Sequence, residues 1–417
     1  MTNLVVRTTA KANPLWFVLS VGGGSPRPTE GSWETVISGW EKSSKNARTI
    51  LALHGVQDEF IQRSPNCSVL SVSAWKPSSH GLVQRAVKSF FKDNASNVLL
   101  ALDEISFAIK CRFYLQPIMK HCSRVHSYSF WFSFLSVFSP SLRRKSVYTE
   151  TGGDWIELSK GRGSILAKFR YLHLGRLVLN RINVLVETSL MKSALISCGV
   201  RGDRIHQFRF EPSSRDRFFP VTPKVTNPFT ITYVGRLLPQ KGVHTLLEAF
   251  DILVNQRNRD GLRLVLVGPD SGFGIKFASE YGRSLHAYVQ SKRLESVVIF
   301  MGYVGLEELA ELYSSSMVHV LPSMQDAFGW VAYEAMLCAT ASIVTSACGV
   351  AEVVDDGKTG YIVPPGNPQA LADRLDKLIE DKERCIEMGL LARETVEARY
   401  RQMSPLTLFE ALMSGSD

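Results

Sequence analysis

Phe229-Thr230-Ile231-Thr232-Tyr233-Val234-Gly235-Arg236-Leu237-Leu238-Pro239-Gln240-Lys241-Gly242, running on into Val243–Gln256, is the stretch that decides the fold. Its first six residues, β-branched and aromatic, read as a strand. Gly235 to Gly242 then reads as a turn-rich loop. From Val243 the apolar residues recur at helical spacing, with Leu246, Leu247, Phe250 and Leu253 on one face. Strand, glycine-flanked loop and helix in that order form the opening unit of a parallel sheet covered by helices.

Downstream the same alternation continues. Leu262–Val267, Val297–Phe300, Val318–Leu321, Ile343–Thr345 and Tyr361–Val363 read as strands. Glu307–Ser314, Trp330–Ala339 and Pro368–Ile379 read as helices, the last with Leu371, Leu375 and Leu378 along one side. Upstream, Leu15–Val21, Thr49–Leu53, Val69–Val72, Val98–Ala101, Arg124–Ser127, Ser146–Thr149 and Val184–Glu187 read as strands, with Trp33–Lys42 as the first intervening helix. Arg201–Asn227 is rich in charge, proline and aromatics without clear periodicity, and the domain boundary is expected there, near Pro223. Two α/β domains are therefore expected, 1–222 and 223–417, each about 200 residues and large enough for its own core. A final helix can also pack back on the first domain.

Composition bounds the function classes. The chain has 417 residues, is 45% hydrophobic and 21% charged, and has a mean hydropathy of +0.00. That is the balance of a soluble protein with substantial cores. Leu15–Val21 is strand-length and opens into Gly22-Gly23-Gly24-Ser25-Pro26, a turn rather than a leader cleavage site. The aromatic stretch Tyr128–Phe138 is also too short to span a bilayer. Seven scattered cysteines, with no Cys-x-x-Cys pair, are expected as reduced thiols, which implies a cytoplasmic location. Residues 1–220 carry 30 Lys and Arg against 15 Asp and Glu, whereas 221–417 carry 18 against 24. A basic first half suits an anionic partner such as a membrane surface or a phosphorylated acceptor. Nucleic acid is not expected, because no zinc-finger spacing or RNA-recognition signature accompanies the charge.

Two constellations carry chemistry. Arg236 and Lys241 lie in a loop directly after a strand, where an open α/β sheet places its ligands. The following helix start favours phosphate as well. Asp326 and Glu334 are two carboxylates either side of a turn, suited to holding two hydroxyl groups of one bound ligand. The backbone N–H groups of Ala327, Phe328, Gly329 and Trp330 can meet phosphates from the same side. There is no Asp-x-Asp motif to carry a divalent cation, so no metal and no cofactor are expected, with the two cations supplying the positive charge.

Taken together, Val234-Gly235-Arg236-Leu237, Lys241-Gly242-Val243, Pro322-Ser323-Met324-Gln325-Asp326-Ala327-Phe328-Gly329, Glu334-Ala335-Met336, Gly349-Val350-Ala351-Glu352-Val353-Val354 and Asp356 to Gly366 resemble glycosyltransferase family 4. The resemblance implies the GT-B fold, two facing Rossmann-like domains with the active site in the cleft, and a sugar transfer that retains anomeric configuration. It implies that Arg236 and Lys241 hold the donor diphosphate, that Asp326 meets the donor sugar, that Glu334 meets the ribose and that backbone at Tyr303 and Val304 holds the base. Gly31, in Gly31-Ser32-Trp33-Glu34, is similar to a family glycine near the donor phosphates. His126, in Val125-His126-Ser127, is similar to the family's histidine facing donor or acceptor. Asp326 stands where the family has glutamate, and Cys338-Ala339-Thr340-Ala341-Ser342 lacks the usual glycine and proline.

The expected function is transfer of a sugar from a nucleotide-diphosphate sugar, UDP- or GDP-linked, to a hydroxyl acceptor. Polysaccharide, lipopolysaccharide or glycolipid synthesis is the expected setting. The acceptor can be lipid-linked and the enzyme peripheral on the inner face of a membrane. A nucleotide-sugar epimerase of related fold, or a silent nucleotide-sugar-binding protein, is the alternative.

Overall fold

The computed structural model describes residues 15–20, 48–54, 59–64, 67–72, 81–91, several between 98 and 113, 124–127, 130–144, 146–150, 154–163, 168–207, 217–269 and 276–402. Gly31, the expected helix Trp33–Lys42 and the end of the chain beyond residue 402 lie outside them. The chain divides into two units. One gathers Glu187–Met191 with Arg209–Pro405, and the other holds the remainder. The change of unit at 208/209 falls 14 residues before the expected boundary, and Glu187–Met191 is an excursion of the chain that the linear reading did not contain.

The first unit has an eight-stranded sheet: β1 (Leu15–Ser20), β2 (Arg48–His54), β3 (Glu59–Ser64), β4 (Cys67–Val72), β5 (Arg124–Ser127), β6 (Ser146–Glu150), β7 (Asn183–Val186) and β8 (Ile205–Gln207). Their order is β3-β4-β2-β1-β5-β6-β7-β8, parallel throughout except for β3 against β4. β3 and β8 were not expected. Four of the six residues of β3 (Glu-Phe-Ile-Gln-Arg-Ser) are polar, as suits an antiparallel edge strand. Of the expected strand Val98–Ala101, the described residues Val98 and Leu99 are helical, and they pack with Val83 and Val87 of α1 (Gly81–Phe91). An apolar run of four does not separate strand from buried helix.

The aromatic stretch forms α2 (Phe130–Val137), with Phe130, Phe132 and Val137 buried. The Arg170 guanidinium lies 5.2 Å from the ring centre of Phe130 and 5.4 Å from that of Trp131. α2 is therefore mainly a core helix, and Phe138 just beyond it is exposed. Leaving β7, the chain enters α3 (Ser189–Ser197), capped by the Thr188 hydroxyl, which accepts from the Met191 N–H at 3.1 Å.

The second unit is built on a six-stranded, all-parallel sheet of β9 (Phe229–Val234), β10 (Leu262–Val267), β11 (Val298–Gly302), β12 (Val318–Leu321), β13 (Ala341–Thr345) and β14 (Gly360–Val363). The order β11-β10-β9-β12-β13-β14 reverses direction between β9 and β12. This is the doubly wound arrangement whose ligand crevice lies outside the carboxyl ends of the strands at that switch. All six residues of β9 are buried. Phe229, Ile231 and Tyr233 enter one apolar cluster and Val234 the other. Burial on both faces explains the near-continuous apolar runs that made these strands readable.

Helices α4 (Val243–Asp251), α5 (Lys276–Ser291), α6 (Leu306–Ser315), α7 (Trp330–Leu337), α8 (Pro368–Glu380) and α9 (Lys382–Gln402) cover the sheet. The expected helix Val243–Gln256 is α4 up to Asp251 and continues as a π turn over Ile252–Gln256. α8 starts on Pro368 with the Asn367 side chain accepting from the Ala370 N–H at 3.0 Å, a cap worth about 1 kcal/mol. α9, the last described helix, packs on α7, α8 and β13 of its own unit.

Candidate active site

The switch between β9 and β12 gathers the expected donor residues. At the end of β9 the chain turns through Gly235 to Arg236, which is exposed and whose carbonyl accepts from the Tyr233 hydroxyl at 2.9 Å. A short 3-10 turn, Pro239–Lys241, then delivers Lys241 to the start of α4. Gly242 lies at φ 68°, and a Cβ there would stand 2.0 Å from the Pro322 carbonyl oxygen. The sequence therefore needs glycine at this position for two reasons: a left-handed backbone and a close approach to the end of β12. The Met324 N–H donates to the Gln240 carbonyl at 2.9 Å and joins the two loops. The Thr345 hydroxyl donates to the Ser323 carbonyl at 2.6 Å and fixes the second loop from beneath.

With the loops so joined, the Lys241 ammonium sits 2.5 Å from an Asp326 carboxylate oxygen. The two side chains are 19% and 17% exposed, so the pair is only partly screened by water, unlike an ordinary surface ion pair. An ammonium has three donors, so Lys241 can keep Asp326 and still meet a phosphate oxygen. The Asp326 loop is stitched to the segment after β13. The Asp326 N–H donates to the Ala347 carbonyl, the Gly349 N–H to the Asp326 carbonyl and the Val350 N–H to the Phe328 carbonyl. Gly329 caps α7, whose first residue is Trp330, and the Phe328 and Trp330 rings lie 4.3 Å apart.

Glu334, one turn into α7, is largely withdrawn from water, and burial raises its carboxyl to about 8. It is therefore largely protonated at neutral pH and can donate as well as accept a hydrogen bond. At the carboxyl end of β11, Tyr303 is 74% exposed while Val304 is buried. The Gly268 N–H donates to the Gly302 carbonyl at 2.7 Å, holding this loop beside the end of β10. Arg236, Lys241, Asp326, Ala327 to Trp330, Glu334, Tyr303 and Val304 thus all lie at the carboxyl ends of one sheet.

His126 belongs to the other unit. It pairs with Val18 of β1 and Val147 of β6, is fully buried, and is held neutral by that burial, down to about 3. At that depth an imidazole acts as a neutral hydrogen-bonding group and not as a cation. Gly31 lies outside the described residues. Among the described residues, no group of three or more His, Cys, Asp or Glu side chains is disposed to hold a metal ion. No helix of the described residues is long and apolar enough to cross a membrane. Four cysteines among the described residues, Cys198, Cys338, Cys348 and Cys385, are free and buried. Burial pushes Cys348, beside the Asp326 loop, up to about 12, which leaves it inert as a nucleophile.

The sequence reading passed over Glu187. It ended an expected strand, where a carboxylate closing a buried apolar run was the available signal. Burial, together with the charge of Asp326, raises it to about 8.

Residues 214–395 match the family model described as glycosyl transferases group 1. The chain is 31% identical over 200 residues to D-inositol 3-phosphate glycosyltransferase of Paenarthrobacter aurescens, covering 48% of this chain and 47% of that one. It is 28% identical to the capsular polysaccharide biosynthesis glycosyltransferase CapM of Staphylococcus aureus, over 41% and 42% of the two chains. The chain thus aligns with less than half the length of these relatives. Among solved structures, sucrose-phosphate synthase of Thermosynechococcus elongatus superposes with a TM-score of 0.75 at 21% identity, over 97% of this chain and 100% of that one. Anabaena HepE in complex with UDP and glucose superposes at 0.67 and 18% identity, over 96% and 100%.

Two Rossmann-like sheets, with this loop chemistry on the second, define the class as GT-B. Residues 214–395 are similar to the glycosyl transferases group 1 family, and the donor-site motifs from Val234 to Gly366 lie within that match.

Proposed function

We propose that the protein is a retaining glycosyltransferase that moves a sugar from a nucleotide-diphosphate sugar to a hydroxyl acceptor. The observation that carries this reading is the Lys241–Asp326 pair at the β9/β12 switch, 2.5 Å apart, with Arg236 in the same loop as Lys241. The relatives' names, all transferases of sugars, and the UDP and glucose held by Anabaena HepE support it. In the transfer, the acceptor oxygen bonds to the anomeric carbon as the carbon–oxygen bond to the diphosphate breaks. The electron pair leaves with the diphosphate, which also takes the acceptor's proton. Arg236, Lys241 and the N–H groups entering α7 meet the charge that develops on the leaving group. Asp326 accepts hydrogen bonds from sugar hydroxyls, Glu334 binds the ribose, and Tyr303 and Val304 offer backbone groups to the base. Gly31 and His126 are assigned to the donor phosphates and to the sugar or acceptor by the family resemblance.

Because side chains and backbone supply the positive charge, turnover is expected to survive EDTA. An α-linked donor is expected to give an α-linked product by NMR. A β-linked product, or loss of activity on chelation, would contradict the reading. Conversion of the donor sugar to its epimer without transfer would favour an epimerase instead.

The basic first half supports a peripheral membrane location facing a lipid-linked acceptor. Phe138 and Arg144 are exposed next to α2, although the helix itself is mostly core. Each basic side chain near an anionic surface contributes about 1 kcal/mol. Co-sedimentation is expected with vesicles containing anionic lipid, lost at high salt. Equal binding to neutral vesicles would contradict it.

A further inference from the structure

An all-parallel sheet covered on both faces is ordinarily apolar from strand to strand. One row of the second unit's sheet is not. Thr232 of β9, His319 of β12 and Ser342 of β13 are register partners across three adjacent strands, and all three are fully buried. Register partners project from the same face on strands about 4.8 Å apart. Two residues further along each strand, Val234, Leu321 and Val344 join one apolar cluster with Leu309 of α6 and Met336 of α7. Tyr313, equally buried, meets the row from α6, with its ring centre 5.6 Å from that of His319.

Thr232 is satisfied, because its hydroxyl lies 2.5 Å from that of Ser316. The others are not. Both ring nitrogens of His319, the Ser342 hydroxyl and the Tyr313 hydroxyl are buried without a hydrogen-bonding partner among the described residues. A polar atom left unpaired in an apolar core costs more than an ordinary hydrogen bond returns, and native interiors leave few of them. Burial holds His319 neutral, down to about 3, so one of its nitrogens donates and the other accepts. Either hydroxyl can do both. The partner these groups call for is uncharged, small, and able to donate and accept at once, which describes water. We propose that this row is a site for ordered internal water, with at least one molecule bridging His319, Ser342 and Tyr313. The strands it joins are those that carry the candidate donor loops. β9 runs into the Lys241 loop, β12 into the Asp326 loop, and β13 into the segment from Ala347 to Val350 that is bonded to the Asp326 loop. Water tying β12 and β13 to α6 therefore braces the sheet beneath those loops, whichever ligand they hold.

The test is a crystal structure of the full chain, beside melting curves of Ser342→Ala, Tyr313→Phe and the double variant. Each substitution removes one hydroxyl from a packed position and leaves the rest of the side chain in place, so the variants are expected to fold. Density for a water within about 3.2 Å of at least two of the three side chains is expected. Each single variant should melt about 2–4 °C lower, the effect of one hydrogen bond in a unit of this size. The double variant should lose less than the two singles combined, because one water serves both hydroxyls. A melting temperature that holds or rises in both single variants would overturn the proposal, since deleting an unpaired hydroxyl from a dry core relieves a cost. Strict additivity would contradict a shared water. Density showing these side chains bonded directly to one another, with no water between them, would overturn it as well.

Discussion

Lys241→Ala is expected to lower turnover about a hundredfold while the protein still folds. Removing one preorganised contact to a developing charge costs about 3 kcal/mol at the barrier, and each 1.36 kcal/mol is a factor of ten in rate. The Lys241 side chain is only 19% exposed and its ammonium already sits beside Asp326, so little reorganisation is needed when the leaving group becomes charged. Its loss leaves Asp326 without this partner, but that carboxylate retains some access to water, so the melting temperature should fall by only a few degrees. Steady-state rates beside a melting curve check both halves. Near-normal turnover in a folded variant would remove Lys241 from the reaction.

Gly242→Ala should act in the opposite manner, through the fold. The residue lies at φ 68°, and the added methyl would fall 2.0 Å from the Pro322 carbonyl oxygen. The left-handed strain alone costs about 1–2 kcal/mol for a residue with a Cβ. A contact that short with backbone must also push the loop bearing Lys241 off the end of β12. A total of about 2–4 kcal/mol is expected, seen as a lower denaturation midpoint, together with loss of donor binding. An unchanged midpoint would mean that the two loops are not held together as described.

Most of the second unit was legible in the sequence for a physical reason. Its strands are buried on both faces, so Phe229–Val234, Leu262–Val267 and Val318–Leu321 stand out as apolar runs, and their observed bounds agree with the reading. α5 was missed because Leu285 and Val289, its fully buried residues, are diluted by glycine, serine and charged side chains. β3 was missed because an edge strand need not be apolar. Within the site, the residue types and spacings identified Lys241 and Asp326 separately. Their pairing spans 85 positions and depends on the fold. The contacts of Thr188 and Ser189 with Ala327 and Glu352 were harder still, because no local pattern announces them. The depth of His126 was hidden for a related reason, since a short strand does not show in sequence that it has neighbours on both sides.

The central claim is that the carboxyl ends of β9 and β12 form a site for a nucleotide-diphosphate sugar. Calorimetric titration of the protein with UDP-, GDP- and ADP-glucose tests it most directly. Saturable binding of one of the three at a single site, competed by the matching nucleoside diphosphate and weakened in Lys241→Ala, is the result expected. No binding of any of them, or binding that Lys241→Ala leaves untouched, would contradict it.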